Sequence, residues 1–438
     1  MQMLYFDNFR GFDSTFIDLK HINFLVGENS TGKTSVLKLL NVISSRGFWF
    51  YQQFTSNETY LGTFQEIISS TRTKEFFELA ILSDLSENGR YATGIKLRFV
   101  DNNNQPAIKE ICFIDNKINL QISVEGKFLK YRFELCSQKK KSIALKTCDD
   151  FKVWVKSNRM IDMPFDSENF EYLGIVSILF LLQTVIEKKI PTESTARGNF
   201  KLSIQPFLKD IAWLAPIRTE PKRTYDTYTS NFDPEGRHAP YILKDILDED
   251  KENVVKKILR SFGRDSGLLE DVTIRKQGEQ NGKNAPFELL IGLNNQQLNI
   301  INVGYGISQI LPVIIEAIAR PEKTLFTLQQ PEIHLHPKAQ AALGDFIYRS
   351  FENDRQKYII ETHSDYIIDR MRLRINRASR EKSQSKPEDI CQVIFFSRTS
   401  TGNKIDIIKI QANGSYPIDQ PTEFRDFFIK EQLDLLAI

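Results

Sequence analysis

Cysteine is scarce, with four residues in a chain of 438. Cys112, Cys136, Cys148 and Cys391 lie far apart, with no CxxC pair and no Cys/His spacing suited to zinc. That excludes a disulfide scaffold and predicts a reduced, cytoplasmic chain. Net charge is nearly absent too: 58 Lys and Arg face 56 Asp and Glu, for a formal charge of +2, so any nucleic-acid surface must be a local patch. The most apolar stretch, 172–186, is interrupted by Gly174, Ser177, Gln183 and Thr184. It is too short to span a bilayer and reads as a buried helix, so no membrane partner is expected. Residues 1–18 lack a basic stretch followed by an apolar run, so no signal peptide is expected. No heptad repeat is sustained, which argues against long coiled-coil arms. The remaining composition, 41% hydrophobic and 26% charged, is that of a globular chain with a sizeable core rather than a disordered one.

The patterning predicts an α/β protein. Short apolar runs at 17–19 and 22–26 read as strands, and Val36, Leu39, Leu40 and Ile43 fall on one helical face. Strand-length runs at 94–100, 108–114, 118–124 and 128–135, with turn signals at 101–104 and at Glu125-Gly126, predict an antiparallel meander. A Lys-rich break at 138–142 opens a more helical region. From residue 287 onward strands and helices alternate, which implies a mainly parallel sheet with helices on its faces. The division expected is an N-terminal lobe over 1–140, a mainly helical insertion over 141–270 and a C-terminal lobe over 271–438. The two lobes would form one split domain.

Four motifs carry chemistry. Gly27-Glu28-Asn29-Ser30-Thr31-Gly32-Lys33-Thr34 matches G-x-x-x-x-G-K-[ST], the loop whose backbone N–H groups cradle phosphates, with Lys33 for the β- and γ-phosphates and Thr34 for Mg²⁺. Gly27, Asn29, Ser30, Thr31, Gly32, Lys33, Thr34 and Ser35 are thus the candidate nucleotide-binding residues. The second motif, Gly304-Tyr305-Gly306-Ile307-Ser308-Gln309, opens an apolar helix and can also receive an anion, through Gly306, Ser308 and Gln309; plain helix capping is the alternative. The third is the strand 324–328 running into Gln329-Gln330-Pro331-Glu332-Ile333-His334-Leu335-His336-Pro337, and the fourth the strand 358–360 running into Glu361-Thr362-His363-Ser364. Three of the five histidines (His334, His336, His363) lie in these last two motifs, and a strand-end histidine can report a γ-phosphate. His238 has no partner spacing and reads as structural.

This order of motifs resembles the ABC/SMC-type heads of AAA-family ATPases, similar to the OLD-family head and to the ATPase subunits of anti-phage systems of the Septu and PARIS kind. Asn8-Phe9-Arg10-Gly11-Phe12, Leu214-Ala215-Pro216-Ile217-Arg218 with 221–225, and Pro331-Glu332-Ile333-His334-Leu335-His336-Pro337 support it. The resemblance implies a P-loop ABC-type ATPase head with an antiparallel β subdomain and an inserted mainly helical domain. It implies a Walker A loop at 27–34, a signature motif at 304–309, a Walker B end at Gln329-Gln330, a switch histidine at His363 and a Q-loop glutamine at Gln65. Thr34, Gln65 and Gln329 would be the metal ligands. It also implies ATP and Mg²⁺, and a homodimer or higher homo-oligomer in which each P-loop faces the other head's Ser308.

The chain departs from that family at Walker B, where amides replace carboxylates. An amide is a poor proton acceptor, and loss of a general base typically costs ~10²- to 10⁴-fold in rate. Either hydrolysis is slow, or Glu332 or Glu361 compensates; with His363 these are the catalytic candidates. The expected function is an ATPase that controls a separate effector, a nuclease or toxin, in anti-phage defence. A nucleotide-locked scaffold and an SMC-like DNA tether are the alternatives. Arg370, Arg372, Arg374, Arg377, Arg380, Lys382 and Lys386, against the single acid Glu381, form a candidate nucleic-acid patch on a helix and the loop after it.

Overall fold

The strand-length runs of the sequence form three sheets in the computed structural model, which describes residues 2–56, 59–70, 74–84, 91–135, 145–157, 165–169, 174–190, 201–229, 231–249, 253–277, 285–381 and 389–427. The chain divides into two compact units, one made of 1–19, 29–210 and 397–405, the other of 20–28, 211–396 and 406–438.

The first unit is built on an eight-stranded antiparallel sheet ordered β2 (Thr15–Asp18), β1 (Met3–Asp7), β4 (Phe76–Leu82), β5 (Gly94–Asn102), β6 (Gln105–Ile114), β7 (Ile118–Glu125), β8 (Phe128–Leu135), β9 (Asp166–Asn169). Period-two alternation buries Ile95, Leu97 and Phe99 of β5 on one face. Lys96 and Arg98 take the other, where both pair with Glu78 and Arg98 also reaches Glu110. The meander expected from the sequence is therefore β5 to β8, with further strands on both sides. Helix α1 (Lys33–Ser44) buries Val36, Leu39, Leu40 and Ile43, the face its spacing predicts. Helices α2 (Arg46–Tyr51), α3 (Phe64–Ile67), α4 (Cys148–Lys156) and α5 (Ile175–Lys189) complete the unit's helical part.

The second unit holds the six-stranded sheet β10 (Ile211–Leu214), β14 (Leu325–Gln329), β15 (Lys357–Glu361), β3 (Ile22–Gly27), β16 (Cys391–Thr399), β17 (Gly402–Lys409), parallel from β10 through β16. Every residue of β3 is buried, as expected of a parallel strand covered on both faces. Helices α6 (Ala239–Glu249), α7 (Val254–Ser266), α8 (Tyr305–Ala319), α9 (Pro337–Asp354) and α10 (Asp365–Arg380) share its core, as does the three-stranded sheet β11 (Asp271–Lys276), β12 (Phe287–Leu293), β13 (Gln296–Asn299).

Residues 141–270 do not stay together as one helical insertion. The unit boundary falls between Asp210 and Ile211, and β10 directly after it is a strand of the parallel sheet. Four residues are too few to show a period, so Ile-Ala-Trp-Leu reads as strand only once β14 is there to pair with it. The expected terminal helix at 424–436 falls mostly outside the described residues; 422–427 are helical.

Candidate functional site

The P-loop leaves the end of β3 and enters α1. Gly27 has φ +140° and lies opposite Phe396 of β16; a Cβ there would sit 2.0 Å from the Phe396 carbonyl oxygen, so the strands can pair only with glycine at this point. In the first unit, Ser30 (φ +62°) and Gly32 (φ +91°) take left-handed conformations on either side of Thr31. Left-handed residues are one half of the alternation that forms an anion-binding nest of backbone N–H groups. A Cβ on Gly32 would meet the Phe12 ring at 2.5 Å. The Arg398 guanidinium donates to the Ser30 carbonyl at 3.1 Å, and Arg10 donates to Ser35 Oγ at 3.1 Å and to the Leu61 carbonyl. Lys33 and Thr31 are buried, and α1 has no acidic residue in its first turn; the positive end of a helix favours an anion.

In the second unit the C-terminal ends of parallel strands bring distant residues to one edge of the sheet, where open α/β sheets bind their ligands. Leu214 of β10 stands beside Leu328 of β14, and Gln329 beside Glu361 of β15. Gln330 turns away with φ +43° while its N–H donates to the Glu361 carbonyl at 2.8 Å. Glu332 Oε1 accepts the His363 backbone N–H at 2.7 Å, so the loops after β14 and β15 are tied through one carboxylate. Its Oε2 is shielded from solvent and meets no protein donor at hydrogen-bond geometry. Burial raises the Glu332 carboxyl above the ordinary carboxylate range, against the His363 N–H, its own N–H, the Thr362 hydroxyl and the Arg218 charge, all of which favour ionisation. Glu361 is buried, and His363 is exposed.

The sequence profile of the AAA ATPase domain family matches residues 1–368. The chain belongs to that family. No protein of curated function matches it. Among solved structures this AAA ATPase is similar to an Smc head bound to the C-winged helix domain of ScpA, with 10% identity over 93% of this chain and 97% of that chain and a TM-score of 0.43. A Smc head domain with an extended coiled coil bound to the C-terminal domain of ScpA derived from Pyrococcus furiosus shares 10% identity over 100% of this chain and 98% of that one, with a TM-score of 0.38. The SMC head domain from Thermotoga maritima shares 9% identity over 92% and 97%, with a TM-score of 0.37.

The segment 304–309 of this AAA ATPase, expected to be a signature motif, opens α8, with Gly304 and Tyr305 exposed and Gly306 and Ser308 buried. A Cβ on Gly306 would lie 2.7 Å from the His334 carbonyl oxygen, and the Tyr305 and His334 rings meet edge to face at 4.9 Å. The Ser308 hydroxyl donates to the Tyr305 carbonyl at 2.8 Å. Gln309, expected to face nucleotide, instead uses its side chain on the protein. Its Oε1 accepts the Arg218 N–H at 3.1 Å and its Nε2 donates to the Arg218 carbonyl at 3.3 Å. Farther along α8, His238 Nδ1 accepts the Asp233 N–H at 3.1 Å, which leaves Nε2 to donate to Glu316 at 2.6 Å. His238 is thus structural, as its isolation in the sequence suggested.

Gln65 lies on α3, exposed, its amide donating to Asp101 at 3.2 Å. Of the basic helix, Arg374 and Arg370 are both drawn to Asp345 of α9, at 2.6 and 3.6 Å, and Arg372 pairs with Asp369 at 2.7 Å. Three of the charges expected to form a phosphate-gripping patch thus have carboxylate partners on the protein. Lys382 and Lys386 lie outside the described residues. Among the described residues no helix is long and apolar enough to cross a membrane, and no group of three or more His, Cys, Asp or Glu could hold a metal by itself.

Proposed function

We propose that this protein binds ATP with Mg²⁺ at the loop 27–35 and hydrolyses it slowly, Glu332 acting as general base in place of the carboxylates missing at Gln329 and Gln330. The observation that carries the reading is the Glu332 carboxylate: held by the His363 N–H at the strand edge, it keeps one buried oxygen without a protein donor. In the reaction a water oxygen attacks the γ-phosphorus, its proton passes to Glu332, and the bond to the ADP oxygen breaks with its electrons leaving on ADP. The left-handed Ser30 and Gly32 and the acid-free start of α1 fit a phosphate chain. The Thr34 hydroxyl and the Gln329 amide are neutral oxygen donors, suited to Mg²⁺ when phosphate oxygens supply the charge it requires. Bound there, the ion would neutralise charge developing on the phosphates.

The resemblance to ABC-type heads supports two heads closing on two nucleotides, with the exposed helix start at Gly304 and Tyr305 turned to the partner's ATP. It also supports a separate effector and a role in anti-phage defence in the cytoplasm. Neutral Gln329 and Gln330 favour a second reading, a nucleotide-locked scaffold with little turnover. Phosphate release and light-scattering mass, with and without ATP, distinguish them. The first reading predicts slow, Lys33-dependent release and ATP-dependent association, both lost in Lys33→Ala. Association with no Lys33-dependent release would favour the scaffold. Brisk release that Lys33→Ala leaves intact would overturn both.

A further inference from the structure

The turn between β16 and β17 brings residues from late in the chain to the P-loop. Residues 397–405 belong to the first unit, as do the P-loop from Asn29 onward and the segment 8–12, and they lie beyond 1–368, the span that matches the family profile. Thr399 closes the turn: its hydroxyl donates to the Gly402 carbonyl at 3.0 Å and accepts the Thr401 N–H at 3.3 Å. Asn403 fastens the turn to the segment 8–12. Its backbone N–H donates to the Gly11 carbonyl at 2.8 Å, and its side-chain amide donates to the Arg10 carbonyl at 3.1 Å. The approach leaves no room for a side chain at Gly402, where a Cβ would lie 2.3 Å from the Gly11 carbonyl oxygen.

From this base two guanidinium groups hold the phosphate loop on either side of Gly32. Arg10 donates to Ser35 Oγ, in the first turn of α1, at 3.1 Å, and Arg398 donates to the Ser30 carbonyl at 3.1 Å. The second bond acts on the loop backbone itself. A trans peptide is planar, so the carbonyl and the N–H of the unit joining Ser30 to Thr31 point in opposite directions. Drawing the Ser30 carbonyl to Arg398 therefore directs the Thr31 N–H the other way. Ser30 is also a non-glycine residue at φ +62°, a backbone state that persists only where its surroundings enforce it.

We propose that Arg398 is a positioning residue for the phosphate loop: it holds the Ser30 carbonyl outward, keeps Ser30 left-handed and so presents the Thr31 N–H to the phosphates of a bound nucleotide. This deepens the reading of 27–35 as an ATP site and rests on it. Arg398 is exposed and acts through the loop backbone rather than by touching the nucleotide. Asn403 and Thr399 fix the turn from which it reaches.

The test uses the full-length chain and two readouts: hydrogen exchange of the segment 28–35 without nucleotide, and ATP binding with Mg²⁺ by calorimetry. In Arg398→Ala exchange at the Thr31 amide should quicken. ATP should bind about tenfold more weakly, the loss expected for one charge-assisted hydrogen bond at an exposed position. Arg398→Lys keeps a charged donor and should recover most of the affinity. The thermal unfolding midpoint should stay at the wild-type value in both, because an exposed side chain contributes little to global stability. Unchanged exchange of 28–35 in Arg398→Ala, ATP affinity equal to wild type, or no recovery in Arg398→Lys overturns the proposal. Should Arg398→Ala not fold, Arg398→Met, which keeps the apolar stem, carries the same prediction. ATP binding by the wild type against Lys33→Ala tests the nucleotide reading separately. If neither binds ATP while exchange quickens in Arg398→Ala, the hold on the loop stands and the ATP reading falls.

Discussion

Replacing His238 by Leu tests how α8 is anchored. His238 Nε2 donates to Glu316 Oε1 at 2.6 Å with both side chains 1% exposed, and Arg320 Nε donates to the other carboxylate oxygen at 2.8 Å. Together these partners hold Glu316 below the ordinary carboxylate range despite its burial. With Nδ1 accepting, His238 is a neutral donor, and leaving a buried acceptor one partner short typically costs about 1–3 kcal/mol; because the acceptor is a carboxylate the upper end applies, about 3 kcal/mol. Loss of the edge-to-face contact with Phe232, whose ring lies 5.1 Å away, adds to this. The double variant His238→Leu/Glu316→Leu should recover most of the loss, since no buried carboxylate is then stranded and the partly exposed Arg320 can turn to solvent. Urea unfolding read by the fluorescence of Trp213, buried on β10 in the same unit, measures both. The sign with pH follows from the direction of the shift. Glu316 contributes stability above the ordinary carboxylate range and loses it as pH falls through its depressed value, so the single variant's deficit should shrink in acid. A single variant within about 0.5 kcal/mol of wild type, or a double variant less stable than the single, would refute the reasoning.

Gly27→Ala should cost about 3 kcal/mol or prevent folding, because its Cβ meets the Phe396 carbonyl and β3 must part from β16; an unfolding midpoint equal to wild type would contradict this. Asp365, at the start of α10, is pushed up to about 6 by burial and then by the charge of Asp369. A raised carboxyl favours the fold in acid and loses that advantage as pH rises through its folded value. Asp365→Asn should therefore match wild type near pH 4 and be about 1–2 kcal/mol more stable at pH 8, once partial exposure is discounted. Thermal unfolding at the two pH values checks it, and an advantage independent of pH would contradict it.

Much of the fold was legible because it depends on local periodicity. The alternation in β5 to β8 and the apolar face of α1 sit where their spacing puts them. What escaped the sequence depends on partners distant in the chain. Strand β10 is recognisable only against β14, more than a hundred residues later. Asp345, which draws in Arg370 and Arg374, sits on a different helix, so the basic run looked freer than it is. Gln309 has the residue type and position to meet a nucleotide, yet its amide is complementary to the two backbone groups of Arg218. Arg218 itself was visible only as a piece of Leu-Ala-Pro-Ile-Arg. An arginine between two prolines just past an apolar strand was the available signal, but its burial could not be read from neighbours in sequence.

The most direct test of the account is phosphate release at saturating ATP from wild type, Lys33→Ala and Glu332→Gln, with ATP binding measured on each. The account predicts slow release by the wild type and none by Lys33→Ala. In Glu332→Gln it predicts intact ATP binding and release lowered by about 10²- to 10⁴-fold. Release by Glu332→Gln at the wild-type rate, with Lys33→Ala inactive, would contradict it.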